Sequence, residues 1–170
     1  MHDRTLPALS AVALFLTVAA APAAENRLGI WPGMTIEEVA ATLKPRCPDI
    51  VVEGDDERSV ICRIGGAGAT VITATASSKG RTYYIDWREA ADDEMVSYVR
   101  RIAGELGLRG PGKDCRFYDY ELRCWYAKDG SVLYSGERDA LKRYISYIVN
   151  DRIKEEDEGP ATEAPVNRGE

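Results

Sequence analysis

The sequence predicts an α+β fold in which helices pack against a small antiparallel sheet. Three observations predict it. Segments with apolar side chains at helical spacing alternate with short runs rich in β-branched and aromatic residues. Turn signals such as Gly54-Asp55 and Asp129-Gly130 separate neighbouring runs by few residues, as in hairpins. An even number of cysteines predicts two disulfides.

The N-terminal residues have the pattern of a secretory signal peptide. Arg4 precedes an apolar run over 9–20, and residues 21–23 (Ala-Pro-Ala) form a small-x-small motif for cleavage before Ala24. The run is too short to span a membrane, and a mitochondrial presequence would contain more arginine. We therefore expect a periplasmic or secreted protein without stable membrane insertion after signal cleavage.

The predicted organisation is a signal peptide over 1–23, one α+β domain over 24–154 and a disordered acidic tail over 155–170. The net charge is −6, and the last twenty residues contain seven acidic and only three basic side chains. The folded part is therefore nearly balanced in charge, which argues against a nucleic-acid partner.

The first half of the domain, about 26–90, begins with a predicted helix over 33–44. Thr35 is its N-cap, Glu38 completes a capping box, and Pro45 ends the helix. Strands are predicted at 50–52, 60–64, 70–76 and 81–88. In the last of these, one face carries Tyr83, Ile85 and Trp87, and the other carries Tyr84, Asp86 and Arg88.

The second half, about 91–154, is predicted to begin with a helix over 92–106. A hairpin containing both later cysteines follows, and Asp129-Gly130 then forms a two-residue turn that places Trp125 opposite Tyr134. A third helix is predicted from about Glu137, with an apolar stripe formed by Leu141, Tyr144, Ile145 and Ile148.

The order of elements is similar in the two halves. Each half contains an amphipathic helix, a cysteine, a hairpin, a second cysteine and a further strand. This order indicates two tandem helix–hairpin–strand units. Coincidence is the alternative, because small α+β domains often place a helix before a meander and no identity supports a duplication.

The cysteine spacing favours disulfides over a metal site or a redox site. There is no CxxC motif, and the only histidine, His2, lies in the predicted signal peptide. A hairpin turning at Asp119-Tyr120 would place its two cysteines directly opposite each other, within disulfide reach. We favour two pairs over the other two connectivities, namely Cys47 with Cys62 and Cys115 with Cys124.

The segment PGMTIEEVAATL, residues 32–43, resembles the GMT-x-(E/Q)-(E/Q)-V-x-x-x-L segment of small bacterial envelope proteins, such as the outer-membrane-assembly lipoproteins of the SmpA/OmlA (BamE) type. The resemblance implies helices on a small antiparallel sheet, and a scaffold or binding module rather than a catalyst. The architecture also looks similar to the β-lactamase inhibitor proteins, which double such a unit. The chain lacks the family's lipidated cysteine and has Lys44-Pro45 where a Gly-x-Pro usually follows the helix.

The search for catalytic groups finds none that we favour. Without histidine in the exported chain, a Ser-His-Asp or Cys-His centre cannot form, and Ser-x-x-Lys is absent. GGAGAT, residues 65–70, precedes a strand rather than the helix that a phosphate loop requires. The carboxylates of residues 55–57, Asp119 and Glu121 are interpreted as solvated turn residues rather than a glycosidase pair or a calcium site. We expect no enzyme, no cofactor and no metal.

Aromatic residues on the predicted strands are the candidate interaction face. A sheet that is covered by helices on one side leaves its other side free, and interfaces favour tryptophan and tyrosine. The alternative is that the same rings pack in the core. The candidate residues are Trp87, Tyr118, Tyr120, Trp125 and Tyr134.

These observations predict a non-catalytic binding module that recognises another protein of the cell envelope or a secreted protein. An inhibitor of a basic secreted hydrolase such as lysozyme is one alternative, with an acidic hairpin tip entering a cationic cleft. A hydrolase that uses the carboxylates of Asp119 and Glu121 is another.

Overall fold

The computed structural model describes residues 28–55, 57–65, 70–139 and 141–159, so the predicted signal peptide lies outside the described residues. Its elements, in chain order, are α1 (Ile36–Leu43), β1 (Val51–Glu53), β2 (Ser59–Ile64), β3 (Thr70–Ala76), β4 (Thr82–Ala90), α2 (Met95–Glu105), β5 (Lys113–Phe117), β6 (Tyr120–Tyr126), β7 (Val132–Asp139), β8 (Arg143–Val149) and α3 (Asp151–Glu158).

The strands form one antiparallel eight-stranded sheet in the order β1-β2-β3-β4-β8-β7-β6-β5. Strands β1 to β4 are one meander and β5 to β8 are a second, and each meander follows a helix in the chain. The last strands of the two meanders, β4 and β8, pair with each other and join the halves. The fold is α+β, as predicted, but the sheet is larger than expected and dominates the molecule.

The first helix has the capping box that the sequence predicts. The Thr35 hydroxyl accepts a hydrogen bond from the Glu38 N–H at 3.2 Å, and Glu38 Oε2 accepts one from the Thr35 N–H at 2.8 Å. These bonds satisfy amide groups that have no partner inside the helix. After α1, Cys47 forms the predicted disulfide with Cys62 on β2, with a Cα–Cα distance of 5.6 Å.

The main core lies between α1, α2 and one face of the sheet. Ile36, Val39 and Leu43 are buried on α1, and α2 contributes Tyr98, Val99 and Ile102. The strand residues that meet these two helices are Val60, Cys62, Ile72, Ala74, Ile85, Trp87, Trp125, Leu133, Tyr144 and Ile148.

Among the described residues, no helix is long and apolar enough to cross a membrane.

The prediction of a third helix from Glu137 is wrong, because residues 132–139 and 143–149 form β7 and β8. Strand β8 lies next to the centre of the sheet and is buried on both faces from Tyr144 to Val149. A strand buried on both faces has a continuous apolar run, and periodicity cannot distinguish such a run from a buried helix. Leu141 is exposed in the turn between these two strands.

The prediction of a disordered tail from residue 155 is wrong for residues 155–158, which form the second half of α3. Polar contacts hold this helix to the turn between β3 and β4. Asp157 Oδ1 accepts a hydrogen bond from Arg81 Nη2 at 2.5 Å, and its Oδ2 accepts one from the Ser77 hydroxyl. The remaining predicted tail, 160–170, lies outside the described residues.

The prediction of a second disulfide is also wrong, because Cys115 and Cys124 are free thiols. The hairpin turns at residues 118–119, one position earlier than expected, so Cys115 lies opposite Leu122 and Cys124 opposite Lys113. The two cysteines therefore share a face but are offset by two residues. Direct opposition, on which the predicted pairing depended, is absent.

Candidate functional site

The sheet has one face covered by helices and one face whose buried cluster contains only strand residues. Side chains alternate along each strand, so the register assigns every strand residue to one of the two faces. We call the second one the open face. It carries Tyr84, Asp86 and Arg88 on β4, Leu122 on β6, Tyr134 on β7 and Ile145, Tyr147 and Val149 on β8.

The β5–β6 hairpin bends over the open face. By register, Phe117 lies four residues along β5 from the row of Tyr134, about 13 Å away in a flat sheet. The ring centroid of Phe117 is nevertheless only 4.3 Å from that of Tyr134 and 4.9 Å from that of Tyr147. The hairpin end therefore folds back onto the sheet.

Gly136 on β7 makes room for this bend. A Cβ atom at this position would lie 2.7 Å from Cδ2 of Leu122, which is closer than real Cβ contacts. Without a side chain at Gly136, Leu122 packs directly on the β7 backbone. The close approach brings the hairpin over the neighbouring strand β8.

A cleft of about 510 Å³ lies between the bent hairpin, β3, β4 and the start of α3. Lys154 Nζ crosses one side of it, 2.5 Å from Glu57 Oε1, 3.2 Å from the Tyr83 hydroxyl and 4.8 Å from the Tyr83 ring centroid. The hydrogen bond from Lys154 lowers the pKa of Glu57. The cleft is lined by Glu57, Thr75, Tyr83, Tyr84, Phe117, Tyr118, Val149, Asp151 and Lys154.

Asp86 is a buried carboxylate in the middle of the open face, with only 4% of its surface exposed. It lies opposite Thr73 on β3 and opposite Tyr147 on β8. Its Oδ2 is 3.3 Å from Arg88 Nε, but it has no well-directed hydrogen bond among the described residues. Burial raises the pKa of Asp86, although Arg88 and Thr73 oppose the rise. A buried charge with incomplete hydrogen bonding is costly, and such groups concentrate at functional sites.

The tyrosines of the open face keep their polar ends available. Among the described residues, the hydroxyls of Tyr84, Tyr118, Tyr134 and Tyr147 make no hydrogen bond. Tyr118 is 68% exposed and has φ +52°, a conformation that is unfavourable for a bulky side chain. Strained residues of this kind are concentrated at binding sites, where the fold maintains them.

The structure divides the predicted interaction face between the two sides of the sheet. Tyr120 and Tyr134 lie on the open face, and Tyr118 lies in the hairpin turn with its ring centroid 6.2 Å from that of Tyr147; their role in binding stays a prediction. The inclusion of Trp87 and Trp125 is wrong, because they are buried under the helices with 3% and 5% of their surfaces exposed. Trp125 donates a hydrogen bond from Nε1 to the Gly110 carbonyl at 3.1 Å.

The misplacement of Trp125 comes from a one-residue error in hairpin register. The loop contains three residues, 128–130, so Trp125 pairs with Leu133 and Tyr134 pairs with Cys124. Asp129 favours the longer loop, since its carboxylate accepts hydrogen bonds from the Ser131 N–H at 2.9 Å and from Trp31 Nε1 at 2.5 Å. A shift by one residue moves a side chain to the opposite face.

Sequence reasoning missed the centre of the site. The alternation in RTYYIDWR already places Tyr84, Asp86 and Arg88 on one face, but it does not show that this face is open. Tyr147 was missed because its strand was predicted as a helix. Among the carboxylates considered as turn residues, Glu57 lines the cleft beside the open face, and Glu121, which is 87% exposed, pairs with Arg116 at 3.6 Å.

A second cavity, of about 310 Å³, lies on the helix side between α2 and the sheet. Ile64, Ile72, Trp87 and Ile102 line it, and the buried Glu89 at one end accepts a hydrogen bond from the Tyr98 hydroxyl at 3.0 Å. The open face combines more unused polar and aromatic groups than this cavity does.

The described residues contain no group of three or more histidine, cysteine, aspartate or glutamate side chains that could hold a metal ion.

Comparisons of the chain with protein-family models, with curated proteins and with solved structures found no match. The resemblance of residues 32–43 to the BamE-type envelope proteins remains a prediction. The function must therefore be argued from the open face and the cleft beside it.

Proposed function

We propose that this protein is an exported, non-catalytic binding module whose open face recognises another protein of the cell envelope. The observation that carries the proposal is the set of tyrosines on the open face with unused hydroxyls, among them the strained and exposed Tyr118. Tyrosine is enriched at protein interfaces because its ring contributes contact area and its hydroxyl a hydrogen bond.

The rigidity of this surface supports the proposal. Phe117 stacks on Tyr134 and also contacts Tyr147, so the rings are held by neighbouring strands before any partner arrives. A surface that is already ordered loses little side-chain entropy on binding. The cleft beside the rings gives the surface a concave part that a protruding segment could enter.

The chemistry of the free thiols supports a non-catalytic role, although the sequence led us to expect no free cysteine at all. Burial, together with a hydrogen bond to Cys124, raises the pKa of Cys115 to about 12. A thiol with such a pKa is almost entirely protonated at neutral pH, and the thiolate is the nucleophilic form. The only histidine of the chain, His2, lies in the predicted signal peptide.

Site-specific photocrosslinking in the producing cell tests the proposal. A photoreactive phenylalanine analogue at Tyr118 or Tyr134 should form a covalent adduct with a discrete envelope protein. The same analogue at Arg100, an exposed position on α2, is the control and should form none. Adducts of equal yield from all three positions, or no adduct from the open face, would contradict the proposal.

A further inference from the structure

Two arginines lie in one cross-strand row of the open face. Arg63 on β2 is opposite Val71 on β3, and Val71 is opposite Arg88 on β4. Since neighbouring strands are about 4.8 Å apart, the backbones of the two arginines are about 10 Å apart. Both side chains project from the same face, so their guanidinium groups can approach one ligand together.

Arg88 uses only part of its hydrogen-bonding capacity. Its Nε lies 3.3 Å from Asp86 Oδ2, and its side chain is 50% exposed. Within the described parts of the chain, its two outer nitrogens make no hydrogen bond, and Arg63 makes no ion pair. Four N–H groups of Arg88 therefore remain for a ligand.

Asp86 and Arg88 lie on the same face of β4 and form an ion pair. The buried Asp86 carboxylate lies 3.3 Å from Arg88 Nε and leaves the outer edge of the guanidinium group free. The outer edge of an arginine matches a carboxylate through two parallel hydrogen bonds. Tyr84, two residues before Asp86 on β4, and Tyr147, opposite Asp86 on β8, have unused hydroxyls that add neutral donors to the same face.

We infer that the Arg63–Arg88 row is an anchor for an acidic side chain, aspartate or glutamate, of the protein partner, with Asp86 as the positioning residue for Arg88. This inference rests on the proposed function and adds the chemistry of the partner. Charge complementarity favours an acidic side chain as the occupant. Arg63 and Arg88 both face solvent, and neither has an acidic partner on its outer side among the described residues. The cross-strand neighbours of Arg88, Val71 on β3 and Ile145 on β8, are apolar, and apolar neighbours strengthen such a contact by excluding water.

Nuclear magnetic resonance of the folded protein, with the disulfide between Cys47 and Cys62 intact, tests the anchor with two defined probes. One is a blocked peptide of alternating glutamate and glycine, and the other replaces each glutamate by glutamine. The glutamate peptide should shift the Arg88 Nε–Hε resonance and bind at least about tenfold more tightly than the glutamine peptide, as expected for charge-assisted hydrogen bonds. Equal binding of both peptides would overturn the inference.

Variants locate the contact. Arg88→Gln should abolish the preference for glutamate, and Arg63→Gln should reduce it, while Arg100→Gln on α2 should leave it unchanged. Since Arg88→Gln leaves Asp86 without its ion pair, Arg88→Lys is a second variant that keeps the charge and loses the planar fork. It should bind several-fold more weakly while the Tyr147 ring resonances stay in place. An Arg100→Gln effect as large as that of Arg88→Gln, or a site that prefers inorganic phosphate, would overturn the inference.

The positioning role of Asp86 has its own readout. In the free protein, Asp86→Asn should accelerate the exchange of the Arg88 Hε proton with water, because the buried acceptor has lost its charge. A merely structural role would leave that exchange unchanged.

The crosslinking experiment separates this inference from the proposed function. If the Tyr118 adduct forms undiminished in Arg88→Gln, the open face binds a partner without this anchor and only the inference falls. If the open face gives no adduct in the wild-type protein, the proposed function falls.

Discussion

Asp86 on β4 lies directly opposite Tyr147 on β8, in the strand pair that joins the two halves of the sheet. Asp86 places a buried carboxylate in this strand pair, and the ring of Tyr147 contacts the rings of Tyr84, Phe117 and Tyr118. Each half thus contributes one central group to the open face. Neither half alone would form this surface, which gives the junction of the two meanders a role in the site.

The first prediction concerns the pH dependence of stability at Asp86. Burial raises its folded-state pKa above the ordinary value of 3.8. A raised aspartate pKa means that the folded state binds the proton more tightly than the unfolded state does. The contribution of this group to stability is therefore greatest below the ordinary pKa and is lost as the pH rises through the folded-state pKa.

Urea unfolding of the wild type and Asp86→Asn across this pH range measures the effect. The free energy of unfolding of Asp86→Asn should rise relative to that of the wild type as the pH rises. The difference should reach about 1 kcal/mol at neutral pH, because one poorly satisfied buried group costs a free energy of that order. Asp114→Asn, at an exposed carboxylate on β5, is the control and should stabilise the protein less at neutral pH, because that carboxylate is not buried. A constant difference between wild type and Asp86→Asn at every pH would contradict the prediction.

The second prediction concerns the strained backbone at Tyr118. Asparagine tolerates a positive φ, whereas a β-branched residue does not. Tyr118→Asn should therefore keep the free energy of unfolding within about 1 kcal/mol of the wild-type value, and Tyr118→Val should lower it by about 1–2 kcal/mol.

Both variants remove the exposed ring, so both should lose the adduct that a photoreactive group at Tyr134 forms with the envelope partner. The contrast between the two variants in urea unfolding separates strain from function. Equal stability of the asparagine and valine variants would show that the positive φ at this position carries no cost.

The third prediction concerns the cysteines. The disulfide between Cys47 and Cys62 spans 15 residues, and a closed loop of that size stabilises a domain by about 3 kcal/mol. Replacing both cysteines by serine should lower the free energy of unfolding by about that amount, and Cys115→Ser should cost less. Alkylation of the unreduced, denatured protein should label two thiols. Labelling of none or of four would contradict the assignment of free and bonded cysteines.

How much of the fold the sequence predicts depends on how local the decisive interactions are. The capping box at Thr35 and the strand alternation around Asp86 involve neighbouring residues, and both are present as predicted. The position of Trp125 depends on whether a loop has two or three residues, which the distant Trp31 influences through its hydrogen bond to Asp129. The burial of β8 on both faces depends on the whole sheet, so residues 143–149 resembled a helix in isolation.

The candidate site follows the same division. Tyr118, Tyr120 and Tyr134 could be predicted as surface aromatics on strands or turns. The bend that brings Phe117 onto Tyr134 could not, because it depends on a packing contact between Leu122 and Gly136, two residues on different strands. Sequence patterns identify a face, and tertiary packing determines which part of that face stays open.

The last prediction tests this bend. A methyl group at Gly136 would lie 2.7 Å from Leu122 Cδ2, and the buried Leu122 side chain has little room to move away. Gly136→Ala should therefore lower the free energy of unfolding by about 1–2 kcal/mol through overpacking. It should also move the β5–β6 hairpin outward, so that nuclear Overhauser contacts between the Phe117 and Tyr147 rings weaken.

A double-mutant cycle with Leu122→Ala identifies the cause, because shortening Leu122 creates space for the new methyl group. The double variant should be more stable than the sum of the two single effects predicts, by about 1 kcal/mol. Strict additivity, with the ring contacts unchanged in Gly136→Ala, would show that the bend does not depend on the missing side chain at Gly136.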